Sequence, residues 1–451
     1  MGVEEREDKL EKKKQLGLVF FPAFDWAISP DHPEREERLL YTRDQIAEEG
    51  LFDHPAIEEY RPSVASVQDI ERVHISVPSV QEVITESHLI AAGGTIKAAE
   101  LVDSGETKKA FALLRPPGHH AMRIVHGSRG FCTINIEAVA IEYLRKKHGG
   151  KFRCAIVDTD AHHADGTQDI YYNDPDILHI CIHQDGRTLY PGTGAIEELG
   201  GPGAYGTTIN LPLPPGSGDA ELLYAVEHLA LPLLQDFQPD LIINAAGQDN
   251  HFTDPLTNMN VTAQGYARMT ELLSPDLVVL EGGYSIEGAL PYVNVGLLLA
   301  LAGLDYTGLV EPEMPRRLLK QRREVNEEVV RNVALLKEIW SNRKEQNLDQ
   351  IFGKEEYFQR KSHIYYDTDN ISEVQFEQIL RCNLCSGYRI IYSTAGHQFG
   401  QTTKIAAVLI PWHACSQCRN RAEEAYQRLL QTSKLDFIYL QDPERERYLK
   451  K

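Results

Sequence analysis

Six short apolar runs in the first 305 residues constrain this chain most, because of what lies between them. They are Leu16 to Phe21, Lys109 to Leu114, 152–158, 177–183, 240–246 and 276–280. Helix-spaced stretches near 34–49, 89–104, 220–236, 262–273 and 287–302 separate or follow them. Strand and helix patterns in alternation imply βαβ units, and so an α/β fold with a largely parallel sheet covered by helices on both faces. Glycine- and proline-containing loops follow several runs, at 115–130, 184–206, 212–218 and 281–286. Open α/β sheets bind ligands at the carboxyl ends of their strands, so these loops are where the chemistry is expected.

The chain has 451 residues, more than one hydrophobic core usually organises, which predicts a large domain and a smaller one. The large domain is expected at 16–305, after a mobile charged segment at 1–15. A helical extension is expected at 306–370, where Arg316 to Lys344 is long and highly charged. The small domain is expected at 371–451. A net charge of −20 argues against a general nucleic-acid or anionic-membrane surface, since either needs a basic face. No stretch approaches the roughly 18 apolar residues of a membrane span, and the start MGVEEREDKLEKKKQ has no apolar signal core. With seven cysteines, three of them isolated in apolar runs, the expected location is a reducing one, the cytoplasm.

The densest chemistry is in Val157 to Gly166, VDTDAHHADG, directly after the run Cys154-Ala155-Ile156-Val157. Side chains at i, i+2 and i+4 of an extended segment share a face, so Asp158, Asp160 and His162 can converge at a strand end. Two carboxylates and an imidazole held together there call for a cation. Four more stretches belong beside it. Arg115-Pro-Pro-Gly-His119-His120-Ala puts two histidines on a stiffened loop that can aim both into one pocket. Gly247 to Pro255 carries Asp254 after another strand; alone, an Asp-Pro is usually only a turn. Leu280-Glu-Gly-Gly-Tyr284 offers a close backbone approach and a phenol able to donate to an oxyanion. Tyr190-Pro-Gly-Thr-Gly194 reads as a structural rim loop.

In their order and spacing, these motifs resemble those of the zinc-dependent histone deacetylase family, which includes bacterial acetoin-utilisation and acetylpolyamine deacetylases. RPPGHHA and LEGGY look like its class II branch. The resemblance covers about 16–305 and implies an arginase-like fold around an eight-stranded parallel sheet. It implies that Asp160, His162 and Asp254 hold a catalytic zinc, with iron(II) open on ligand type. His119 and His120 match the tandem catalytic histidines, Asp158 and Asp165 the carboxylates that orient them, and Tyr284 the catalytic tyrosine. His120 is then the general base and later the acid to the leaving amine, and His119 an electrostatic partner. A structural potassium ion is implied at Asp158, Asp160, His162, Cys181 and Ile182; a thiol at Cys181 is a poor potassium ligand where relatives often have a serine. Gly130 and Phe131 match the tunnel wall. Val261, seven residues after Asp254, matches a gate whose apolar character favours acyl-lysine in a protein over acylpolyamine. A polyamine or small-molecule amide hydrolase is the alternative enzyme, and a catalytically silent binding scaffold the alternative class.

The C-terminal unit has its own pattern, Cys382-x-x-Cys385 and Cys415-x-x-Cys418 with 29 residues between the pairs. Two CxxC pairs flanking strand-like segments read as a structural four-cysteine zinc site on a zinc-ribbon-like unit; redox chemistry is the alternative. Its role is open between binding a partner, homo-oligomerisation and shielding the tunnel.

Overall fold

The computed structural model describes residues 14–24, 26–29, 31–312, 322–397 and 400–451, so most of the expected 1–15 segment lies outside the described residues. Among the described residues, ten strands form in the first part of the chain. They are β1 (Lys14–Phe21), β2 (Ile57–Tyr60), β3 (Ile75–Ser76), β4 (Thr107–Leu114) and β5 (Ile124–Val125). After them come β6 (Cys154–Asp158), β7 (Ile177–Gln184), β8 (Thr208–Leu213), β9 (Leu241–Ala246) and β10 (Leu277–Leu280). Eight make one sheet in the order β2-β1-β4-β10-β9-β6-β7-β8, and every pairing in it is parallel.

Alternate residues of these strands feed two cores. Leu18, Phe111, Val157 and Val278 face one; Val19, Ala112, Ile156 and Val279 face the other. Burial on both faces explains why the central strands read as continuous apolar runs. The two edge strands, β2 and β8, have no such run in the sequence: β2 exposes Glu58 and Glu59, and β8 carries Pro212. The helix Arg323–Asn342 lays Val329, Val333, Leu336 and Trp340, one stripe at helical spacing, on the first core. Among the described residues no helix is long and apolar enough to cross a membrane.

The C-terminal unit begins earlier than the sequence indicates. Its strands are β11 (Tyr357–Tyr366), β12 (Ile371–Leu380), β13 (Arg389–His397), β14 (Thr402–Leu409), β15 (Phe437–Asp442) and β16 (Arg447–Lys450). β11, placed by the sequence in the helical extension, is the first strand of this unit. Instead of a two-stranded ribbon there is a six-stranded sheet in sequential order, antiparallel except for β14–β15. The helix Ser416–Leu429 makes that parallel crossover. The four cysteine sulfurs lie within 4.8 Å of one another at one end of the sheet. N–H groups of Leu384, Gly387 and Cys418 point at the sulfurs of Cys382, Cys385 and Cys415, each at 3.4 Å. The donor set and spacing fit a tetrahedral thiolate-bound ion.

The unit packs on the large domain. Ile391, Ile405, Ala407 and Tyr439 meet Ile75, Val77 and Ile124, and Ile364 and Tyr366 meet Met122. The hairpin joining β11 to β12 reaches the loop that follows β5.

Candidate active site

The carboxyl ends of β4, β6, β9 and β10 are neighbours in the sheet, which brings the motif loops together. His119 Nδ1 lies 3.2 Å from Asp158 Oδ2, and His120 Nδ1 2.8 Å from Asp165 Oδ1. The two imidazole centroids are 4.2 Å apart. The His119–His120 loop is pinned by the Gly118 and His119 N–H groups, which donate to Glu281 Oε2 at 2.8 and 3.0 Å.

Beside them, donor atoms of Asp160, His162 and Asp249 lie within 4.8 Å of one another. His162 Nδ1 is 3.1 Å from Asp160 Oδ1 and 2.8 Å from Asp249 Oδ2. Asp249 is thus a third carboxylate that the sequence reading did not single out. Asp254, expected in that place, is buried nearby, its oxygens accepting N–H bonds from Tyr284 at 2.7 Å and Leu256 at 2.9 Å. The Gly282 N–H donates to Asp160 Oδ2 at 2.7 Å. A Cβ at Gly282 would lie 2.5 Å from both Asp160 and Asp249, so only glycine permits that approach.

The charges here are in conflict. Burial, then the charge of Asp160, pushes Asp249 up to about 7, and burial pushes Asp254 up to about 6. Burial works against a charged His162, but Asp249 and Asp160 outweigh it and raise the imidazole to about 10. Three buried carboxylates sharing one imidazolium are under-neutralised; a divalent cation would displace these protons and satisfy the donors. The donor set therefore fits the zinc that the resemblance implies.

The tandem histidines are driven apart. For His119 burial opposes charge, but Asp160 and Asp158 prevail and hold the imidazolium well above its ordinary range. His120 is pushed well below by burial, then by the neighbouring charges of His119 and Arg129. Arg129 sits 2.5 Å from Asp165 Oδ2, so the carboxylate that orients His120 is itself held.

A pocket of about 220 Å³ opens over the two histidines and Tyr284, walled by Phe131, Leu189, Tyr190 and Leu256. Phe131 stands edge-on to Tyr284, centroids 5.5 Å apart. It sits in a two-residue turn closed by the Arg129 and Cys132 backbones, with Gly130 and Phe131 both left-handed at φ +50° and +67°. Tyr284 is buried, its phenol held well above its ordinary range by burial, with the Arg38 guanidinium 5.0 Å over its ring.

Other expected residues have different places. Val261 is buried in the core and does not line the pocket; Leu256 occupies the wall instead. The chain between Asp254 and the helix Ala263–Leu273 folds inward at Val261, whose N–H and C=O bond Asn250 and Phe252. Cys181, beside Asp158 in the sheet, is buried, and its sulfur accepts the Ala164 N–H at 3.4 Å; Ile182 follows in β7. His163 bridges Thr193 and Gln168 and so ties the rim loop to the helix Asp165–Tyr171.

A parallel sheet with an oriented acid–base pair and a cluster of carboxylates and imidazole at its carboxyl edge defines an α/β enzyme with donors fit for a cation. Residues 32–294 match the histone deacetylase domain, and the chain belongs to that family of amidohydrolases. It is 41% identical over 355 residues to a probable deacetylase of Archaeoglobus fulgidus, covering 72% of this chain and 97% of that protein. It is 31% identical over 342 residues to the acetoin utilization protein AcuC of Bacillus subtilis, covering 67% and 86% respectively. The crystal structure of the HDA15 HD domain superposes with a TM-score of 0.63 at 29% identity, over 73% of this chain and 96% of that one. The C-terminal sheet lies outside the matched family domain.

Proposed function

We propose that this enzyme hydrolyses the amide of an acylated lysine in a cytoplasmic protein substrate, as a zinc-dependent deacylase. Asp160 and His162 hold the metal together with Asp254, the ligand that the family resemblance implies, and Asp249 supports it through His162. Once bound, the ion supplies Lewis-acid polarisation of the acyl carbonyl and an acidified water. Asp158, Asp160, His162, Cys181 and Ile182 would hold a structural potassium ion, and that site belongs to the same proposal.

The observation that carries the reading is the pairing of His120 with Asp165 beside the pocket. With Nδ1–H donated to Asp165, His120 presents Nε2 as a free base, and burial with its cationic neighbours keeps it neutral. His120 takes a proton from water and returns it to the leaving amine. His119, held as a cation between Asp158 and Asp160, stabilises negative charge building beside it. Tyr284 keeps its proton and donates it as a hydrogen bond to the oxyanion. Phe131, Leu189 and Leu256 give the lysine methylenes an apolar passage.

The test is an assay of the purified, zinc-supplemented full chain on acetyl-lysine peptides and on acetylspermidine. Chelator-sensitive release of acetate, faster from peptide, is expected. Metal-loaded protein that hydrolyses neither would sink the proposal. Substituting Tyr284→Phe is expected to lower kcat by roughly 100-fold, the usual effect of losing one oxyanion donor.

A further inference from the structure

The tip of the β11–β12 hairpin, Asp367 to Asn370, comes from outside the family domain yet reaches its pocket. Asp367 Oδ1 accepts the Gly130 N–H at 2.9 Å, and Asp369 Oδ2 accepts the Ser128 N–H at 2.5 Å. Two carboxylates thus set the hairpin in register with the left-handed Gly130–Phe131 turn, whose Phe131 stands against Tyr284. Asp367 lines the pocket. The pocket floor, His119, His120 and Tyr284, is buried, whereas Tyr190 and Leu256 are more than one-third exposed and mark the mouth. Asp367 is exposed with them and, among the described residues, is the one carboxylate lining the pocket. No described arginine or lysine pairs with it, and only one of its oxygens is used by Gly130.

We propose that Asp367 is a specificity-determining residue: its carboxylate receives a donor nitrogen on the amine carrier as the carrier leaves the pocket. The donor is an amide N–H of a peptide or an ammonium of a polyamine; both meet the same acceptor. The C-terminal sheet is then a part of the substrate site. The hairpin's two bonds to the turn hold the carboxylate still, so little freedom is lost on binding. The proposal rests on the amide-hydrolase reading above and adds a contact which that reading does not need.

The experiment compares wild type, Asp367→Ala and Asp367→Asn on three amides: an acetyl-lysine peptide, acetylspermidine and N-butylacetamide, which has no second nitrogen. For Asp367→Ala, KM for peptide or acetylspermidine relative to N-butylacetamide is expected to rise about tenfold, the worth of a charge-assisted hydrogen bond, with kcat nearly constant. The Asn variant keeps its one acceptor oxygen for Gly130 and turns its NH₂ to the pocket, so KM is expected to rise as in the Ala variant, on the peptide where the donor is an amide N–H and on acetylspermidine where it is an ammonium. Unchanged relative KM on both donor-bearing substrates would overturn the inference. So would an equal loss on all three, which would make Asp367 only a support for Gly130. Dissociation constants for the uncleaved peptide and acetylspermidine, measured by calorimetry on the Tyr284→Phe background with and without Asp367→Ala, separate binding from turnover. Equal constants sink the Asp367 proposal whatever the activity. Asp367-dependent binding in a wild type that hydrolyses nothing would sink the reaction reading alone.

Discussion

Asp165 accepts from His120 on one oxygen and meets Arg129 on the other, so a single carboxylate fixes both the tautomer and the orientation of the proposed base. Asp165→Asn keeps the shape but offers His120 an amide that can turn its NH₂ toward Nδ1, placing the proton on the wrong nitrogen. A fall in kcat of roughly 10- to 100-fold with KM nearly unchanged is expected in steady-state kinetics. The pairs His119–Asp158 and His120–Asp165 came only from the family resemblance; the residues alone placed Asp158 at a strand end and both histidines on a stiffened loop, without saying which carboxylate meets which imidazole. Asp249 was not legible, because it shares the irregular stretch Gly247 to Pro255 with Asp254, and no periodicity says which carboxylate turns inward. Asp254→Asn is expected to cost the catalytic zinc equivalent in metal analysis after dialysis, leaving that of the four cysteines, and Asp249→Asn to lower its occupancy; the reverse ranking would exchange their roles. A structural histidine gives a pH prediction. His74 is buried, with Nδ1 2.8 Å from Met122 O while Nε2 accepts the Asn135 N–H at 2.9 Å. Burial lowers it to about 3. Unfolded, its value is about 6.5, so the unfolded chain binds the extra proton between these limits. Its contribution is complete above about pH 6.5 and is lost as the pH falls toward 3, by up to about 1.4 kcal/mol per unit. Protonation also breaks the bond to Asn135, which caps the helix Ile136–Lys147. His74→Gln should flatten the decline in melting temperature below pH 6; an identical slope would exclude this group.

At the scale of elements, strands buried on both faces announce themselves, and edge strands do not. The six central runs were readable for that reason, while β2 and β8 had to come from the resemblance and then the structure. The C-terminal sheet was harder because β12 inverts the usual pattern. Its Glu373, Gln375 and Glu377 are buried, while Val374 and Phe376 are more than one-third exposed. Alternation alone would place the apolar residues inward. Glu373 is satisfied by Tyr366 and Ser393, Glu377 by Arg360 and Arg389, and Gln375 donates to Glu373, a solution visible only once the strands are paired. The cysteine pairs, by contrast, were fully legible, because two CxxC turns have few uses. Cys415 also caps the helix Ser416–Leu429 through the Cys418 N–H. If the four sulfurs bind zinc, Cys415→Ser costs both a ligand and a cap. Loss of one zinc equivalent and of several kcal/mol is expected, read as a lower melting temperature that added chelator shifts less than in the wild type.

For the whole molecule, the question is what couples a sheet outside the family domain to the domain that carries the chemistry. Beside the apolar contacts and hydrogen bonds such as those of Tyr439 to Pro78 O and Gln441 to Glu71 O, a chain of buried charge crosses between the units. Arg360 bonds Glu377 at 2.9 Å and Asp169 of the large domain at 2.8 Å; Arg389 meets Glu377 at 2.5 Å. Burial alone would raise the Glu377 carboxyl, but the two guanidinium groups keep it ionised and below its ordinary value. Such a network adds little over an apolar isostere when intact, yet removing one member strands the others without water. Glu377→Gln leaves both arginines facing a neutral amide in the interface, at an expected cost of about 3–5 kcal/mol. Because Arg360 spans the two units, the damage should fall on their docking as well as on the sheet. The hairpin at Asp367 would then lose its place against Gly130. The expected outcome is faster protease cleavage in the exposed segment 343–356, together with a rise in KM like that of Asp367→Ala. Unchanged cleavage and KM would mean that the apolar contacts of Ile124 and Met122 hold the units together without it.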